Sequence, residues 1–277
     1  MKNAQHGKKR FTSIAWVVLV MSIGVMLLSG FKLWETRQTY QIGDDSYKSL
    51  TDLVRPAGLP AAAGDPKTPA TSANTAADAP VKTLNVEIPD MTIDFQTLHS
   101  VNQDAVAWLY CPDTVIDYPV VRATEYDYYL HRLPDGTYNS NGTLFIDYNW
   151  KDFSDKLIVI YGHNMKSGKM FGSLTNYKKQ AYFDEHPYLY LYAEDGARYR
   201  VDLLYGCIID AGQWRERAFM FDLNLESLIS YAAHSTTFES PVQYIPGDRV
   251  VALSTCSYEF DDARYVLLGI LQPEYKE

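Results

Sequence analysis

Apolar and polar positions divide the chain into three stretches of different character. Residues 11–31, FTSIAWVVLVMSIGVMLLSGF, run without a charge and without the recurring polar face of a soluble core helix. At about 1.5 Å per residue a helix of this length spans roughly 31 Å, the depth of a bilayer's hydrocarbon core. Residues 35–54 are polar with scattered Leu and Tyr, a pattern for a short helix following the apolar run. From 55 to 82 the periodicity disappears in RPAGLPAAAGDPKTPATSANTAADAPVK. Too little apolar mass remains there to offset ordering, which predicts a flexible tether with an r.m.s. reach of about 30 Å.

From about Leu84 the pattern becomes globular. Phe95, Leu98 and Val101 recur at helical spacing and are followed by Ala105-Val106-Ala107-Trp108-Leu109. Short runs rich in Val, Ile and Tyr then dominate, at 115–121, 142–146, 157–161, 188–192, 198–209, 249–254 and 265–271, separated by Gly, Asp, Asn and Pro. These are strand signals. Residues 222–233 differ, with Leu225, Leu228, Ile229 and Ala232 on one helical face and Asp222 or Asn224 as N-cap. The pattern predicts a mainly β, mostly antiparallel domain with a few helices, closed as a barrel.

Charge sharpens this picture. The chain carries 25 basic and 34 acidic residues, a formal charge of −9. The first 37 residues hold six basic residues against Glu35, so 19 basic and 33 acidic residues remain for the rest. A body that acidic repels phosphate backbones, which argues against nucleic-acid binding. Lys8-Lys9-Arg10 directly precede the apolar run and place a cytoplasmic tail at 1–10, an anchor at 11–31 and the body outside the cell. A cleaved signal peptide and a buried helix compete with this reading. The exit Leu28-Ser29-Gly30-Phe31-Lys32 lacks the A-x-A form of a cleavage site, and no cysteine follows for lipid attachment.

The sharpest chemical pattern is Leu253-Ser254-Thr255-Cys256, followed by an acidic turn and then Arg264 before YVLLGIL. Both flanks read as strands, so Cys256 leaves one about where Arg264 enters the next. A guanidinium there favours thiolate and stabilises an oxyanion on an acyl substrate. The bland alternative is a core cysteine, with Arg264 neutralising Glu259, Asp261 and Asp262 in a solvated turn. A second pattern runs the strand 157–161 into Gly162-His163-Asn164-Met165, setting an imidazole at a strand end beside a glycine. Such a base can take a proton from a thiol and return it to a leaving amine. His6, His99, His131, His186 and His234 have ordinary tail, helix or loop settings. Cys111 and Cys207 read as small core residues, with a disulfide between them as the alternative. No CxxC, HExxH, GxGxxG, P-loop or EF-hand order is present, so neither a metal nor a cofactor is expected.

Taken together, these residues resemble the sortases, class B most closely. The likeness covers about residues 90–273 and includes Ile116-Asp117-Tyr118-Pro119-Val120-Val121, Asp127-Tyr128-Tyr129-Leu130, Gly142-Thr143-Leu144-Phe145-Ile146-Asp147, Tyr161-Gly162-His163-Asn164-Met165 and Met170-Phe171-Gly172-Ser173-Leu174. The helix at 222–233, ahead of the last strands, fits class B rather than class A. The resemblance implies a closed antiparallel barrel of about eight strands with N-terminal helices. Its domains are a juxtamembrane segment and linker at 32–84 and a catalytic domain at 85–277. It implies a cysteine transpeptidase in which Cys256 attacks the Thr carbonyl of a C-terminal sorting signal, of the N/S-P-x-T-N/G kind. His163 is then the acid/base, and Arg264 holds substrate and oxyanion together with a backbone N–H near Cys256. Ser254 is a substrate contact. The acyl group passes from the thioacyl enzyme to a peptidoglycan-precursor amine, attaching surface proteins to the wall. Two alternatives remain open: a cell-wall cysteine peptidase that hydrolyses, and an anchored binding module without catalysis.

Overall fold

The computed structural model describes residues 3–55, 88–122, 125, 127–219 and 225–274. Beyond Arg55, the tether expected at 55–82 lies outside the described residues, as do the N-cap positions Asp222 and Asn224. Two compact units divide the chain, Met1–Asp45 and Ser46–Glu277.

Helix α1 (Asn3–Val54) is continuous. Its apolar part lies in the first unit, where Trp16, Met26, Leu27 and Leu28 are all more than 65% exposed. This is a helix long and apolar enough to cross a membrane. The helix ends one residue before Arg55-Pro56, as the clash of a proline ring with the preceding residue requires.

The last turns of α1 belong to the second unit. Tyr47, Leu50 and Val54 are buried, and the Tyr47 hydroxyl donates to the Gly142 carbonyl. Arg55 forms an ion pair with Asp117, which also accepts from Trp108 Nε1 at 2.6 Å. The packed body therefore starts at Ser46 rather than at the composition change near residue 85. A helical apolar stripe spaced 47, 50, 54 covers part of the barrel core.

The barrel follows. Helix α2 (Phe95–Val101) is capped by Asp94, whose Oδ1 accepts from the Thr97 amide at 3.0 Å. Strands β1 (Ala105–Tyr110), β2 (Asp117–Arg122), β3 (Leu144–Ile146), β4 (Leu157–Tyr161), β5 (Tyr188–Ala193), β6 (Arg198–Asp210), β7 (Val250–Cys256) and β8 (Ala263–Pro273) close in the order β1-β2-β3-β4-β7-β8-β6-β5. The closed eight-strand barrel matches the expectation, but its strands do not all run antiparallel. β2 with β3 and β4 with β7 pair in parallel, because long crossovers separate them, the second running through β5 and β6, where tight hairpins would force antiparallel neighbours. A 3-10 turn (Tyr128–His131) lies on the first crossover; a 3-10 helix (Phe171–Lys178) and α3 (Gln180–Glu185) lie on the second. Helix α4 (Ala211–Phe219) follows β6, and α5 (Leu225–Ser235) buries Leu225, Leu228, Ile229 and Ala232, the stripe read from the sequence.

Candidate active site

The site is built at one end of three adjacent strands, β4, β7 and β8. In the parallel β4–β7 pair Tyr161 stands opposite Ser254. His163 and Cys256 each follow two residues later, leaving neighbouring strands about 4.8 Å apart at the same level. In the antiparallel β7–β8 pair Cys256 is the register partner of Arg264. Directly opposed residues project from the same face of a sheet, so the Cys256 and Arg264 side chains leave neighbouring strands on one face. The imidazole follows the end of β4, on the other side of β7. Phe171 N–H bonds the His163 carbonyl at 2.9 Å, and a bridge joins Asn164 to Met170, closing the loop that presents the ring.

Local bonds hold each group. Cys256 is partly exposed while Cys111 and Cys207 are buried thiols, not a disulfide. Asn164 Nδ2 donates to the Cys256 carbonyl at 2.8 Å, and Thr255 Oγ1 donates to the Gly162 carbonyl at 2.7 Å. The loop of the histidine is thus fastened to the strand of the cysteine. Burial pushes the Cys111 thiol up to about 11, against the hydrogen bonds from Thr114 and Tyr177.

His163 Nε2 lies 2.7 Å from the Leu130 carbonyl. A carbonyl oxygen only accepts, so Nε2 carries the hydrogen and Nδ1 of the neutral ring keeps the lone pair. Burial lowers the pKa of His163 below the usual imidazole value. The Leu130 bond opposes this and the nearby His131 adds to it; the two ring centroids are 6.0 Å apart.

Arg264 Nη1 donates to the Ala263 carbonyl at 3.0 Å. The same carbonyl accepts the Ser257 N–H at 2.9 Å. This corrects the expectation of a backbone N–H beside the thiol as far as Ser257 is concerned: its amide continues the β7–β8 ladder. The bland reading of Arg264 also loses one of its three carboxylates, since Glu259 is paired with Lys178 and accepts from Ser257 Oγ. Ser254 shares the face of Cys256 by alternation but is only 2% exposed, a place in the floor rather than on the open wall.

Sequence reasoning missed Asn164 as the link between the two strands, although it quoted the Gly-His-Asn-Met run. It also set aside His131 as ordinary, because nothing in the local sequence shows that the turn Tyr128–His131 meets His163. Lys178 gave no signal at all. Its partners Ser257 and Glu259 lie some 80 positions away.

No family model matches the chain. Sortase B of Listeria monocytogenes serovar 1/2a is 31% identical over 258 residues, covering 90% of this chain and 93% of that protein. Among solved structures, a mutant form of Clostridium perfringens sortase B superposes with a TM-score of 0.60 at 26% identity, over 64% of this chain and 86% of that one. A Streptococcus pyogenes class B sortase involved in pilus biogenesis gives 0.56 at 27%, over 64% and 97%.

Proposed function

The chain belongs to the class B sortases, which are cysteine transpeptidases, and from that premise we propose that Cys256, His163 and Arg264 cleave a C-terminal sorting signal after Thr and transfer the new terminus to a peptidoglycan amine. The observation that carries this reading is the register pairing of Cys256 with Arg264, with His163 leaving the adjacent parallel strand at the same level.

The steps follow from the bonding. Cys256 Sγ attacks the Thr carbonyl carbon while its proton passes to His163 Nδ1, the nitrogen left open when Nε2 holds Leu130. The Arg264 guanidinium, steadied by Ala263 through Nη1, stabilises the oxyanion. As the C–N bond breaks, imidazolium returns the proton to the departing amine, leaving the thioacyl enzyme. An incoming amine then forms a new C–N bond, the C–S bond breaks, His163 takes the amine proton and sulfur recovers a proton from it. The lowered pKa of His163 supports this role, because the ring starts neutral at pH 7. Ser254 belongs to the floor under the bound peptide.

The helix of α1 supports anchoring in the cell membrane, with the N-terminus cytoplasmic and the barrel outside. Clients held by their own apolar tails then meet the enzyme on one surface at high effective concentration. The test is incubation of the chain with a pentapeptide library, with and without a primary amine. Mass spectrometry should find a thioacyl adduct on Cys256, an amide product ending in Thr, and neither with Cys256→Ala. Hydrolysis with no amide product would show a peptidase instead.

A further inference from the structure

One backbone position close to the base is strained. Met170 has φ 52° and ψ −125°, the angles of the first central residue of a type II′ turn, where glycine is the usual occupant. The Gly172 N–H donates to the Lys169 carbonyl at 2.9 Å and closes that turn. A side chain in this conformation is costly, and it persists only where its surroundings hold it. Here they do. Met170 is buried, and its N–H donates to the Tyr118 hydroxyl at 3.2 Å. Tyr118, on β2, meets the Tyr47 ring of α1 edge-on, with centroids 5.0 Å apart.

The turn fastens the loop that carries the base. Met170 bridges to Asn164, the Phe171 N–H holds the His163 carbonyl at 2.9 Å, and Asn164 Nδ2 reaches the Cys256 carbonyl. A path of bonded neighbours therefore runs from Tyr118 through Met170 to the loop of His163 and the strand of Cys256.

We propose that Tyr118 is a positioning residue for His163: its hydroxyl holds Met170 in the strained turn, and the turn sets the loop that carries the imidazole. The inference rests on the transpeptidase reading above. Leu130 fixes the Nε2 end of the ring but not the backbone from which the ring hangs; that is left to the turn. Without the hydroxyl, the buried Met170 N–H loses its partner and the residue can relax toward negative φ, carrying the loop with it. Proton transfer needs the ring within hydrogen-bond reach of sulfur and amine, and a displacement of 1 Å can cost about 10²-fold in rate.

Tyr118→Phe removes only the hydroxyl. In the full chain it should lower kcat for aminolysis of a sorting peptide about tenfold and change the KM for that peptide less than about twofold, because the loop and not the peptide groove has moved. The His163 Nε2–H should also exchange with water faster by proton NMR, a reading that needs no turnover. Glycine adopts the turn without strain, so adding Met170→Gly to Tyr118→Phe should recover most of the lost kcat. Tyr47→Phe, which keeps its ring against Tyr118, is the control and should lower the urea midpoint without lowering kcat. Unaltered kcat and exchange in Tyr118→Phe overturn the proposal, as does a double variant no faster than the single one. An equal loss of kcat in Tyr47→Phe overturns it too, since general destabilisation would then explain both. A parent chain that forms no thioacyl adduct, while exchange is still faster in Tyr118→Phe, overturns the functional reading and leaves the positioning of His163 standing.

Discussion

Arg264 and Cys256 are register partners on β8 and β7, and Arg264 Nη1 is tied to the carbonyl of its own neighbour, Ala263. The tie leaves the guanidinium's other donors for a ligand, whereas the Ser257 amide is spent on the same Ala263 carbonyl and does not serve as a second oxyanion donor. In the proposed mechanism oxyanion stabilisation therefore falls mainly on this one side chain. Arg264→Ala should lower kcat/KM for aminolysis about 10²–10³-fold, the scale of one lost oxyanion donor. Arg264→Lys should recover only part, since a point charge does not reproduce a planar fork that grips Ala263 and substrate together. Steady-state rates with a fluorogenic sorting peptide decide it; near-normal turnover in Arg264→Ala removes this residue from the mechanism.

The turn Tyr128–His131 acts on His163 twice, through the Leu130 carbonyl and through the His131 ring 6.0 Å away. Burial lowers the His163 pKa and His131 lowers it further. His131→Gln should therefore move the pKa of His163 upward, and His131→Lys should not. Ring NMR titration reads this directly. The sign for stability follows by linkage. A histidine with a lowered native pKa binds fewer protons folded than unfolded as pH falls below about 6.5, so stability is lost between that value and the lower native pKa. Urea midpoints should fall across that window in the parent chain and less steeply in His131→Gln. A His163 pKa indifferent to both substitutions defeats the idea.

How much of this was legible in the sequence depended on whether the signal was local. β4 and β8 were visible because Leu157-Ile158-Val159-Ile160-Tyr161 and Tyr265-Val266-Leu267-Leu268 are dense β-formers between turn residues. The Cys256–Arg264 pairing was visible because a short polar turn between two strands fixes register. β1 was harder, since Ala105-Val106-Ala107-Trp108 abuts a helical pattern and its two Ala favour helix over strand. α4 was missed because Ala211-Gly212-Gln213-Trp214-Arg215 carries no apolar stripe. The two parallel pairings and the Lys178–Glu259 clamp join residues far apart in the chain, and no local pattern encodes such encounters.

The start of the packed body gives a stability test. Tyr47, Leu50 and Val54 are buried against the barrel although residues 55–82, which follow directly, read as linker. A chain beginning at residue 85 should be less stable than one beginning at Ser46. Leu50 and Val54 together account for at least about 3 kcal/mol by the usual 1.5–3 kcal/mol for each buried aliphatic side chain. Tyr47→Phe alone should cost about 1 kcal/mol through the lost bonds to Gly142 and Thr143. Urea unfolding followed by tryptophan fluorescence measures both. Equal midpoints for the two chains would show that α1 does not stabilise the barrel.

Gly162, between the end of β4 and His163, is confined from several sides. Its amide donates to the Ser254 carbonyl at 3.2 Å and its own carbonyl accepts from Thr255 Oγ1. A Cβ there would collide with the Leu144 side chain and the Phe171 ring, both fully buried and unable to retreat. Gly162→Ala should destabilise the chain by about 1–3 kcal/mol, the cost of overpacking a filled core. It should also lower kcat more than it raises KM. The displaced segment carries His163, so proton transfer suffers before the peptide groove does. Comparing kcat, KM and the urea midpoint in one variant tests the arrangement. A full-rate, full-stability Gly162→Ala would mean that the loop has room which the packing around Leu144 and Phe171 denies it.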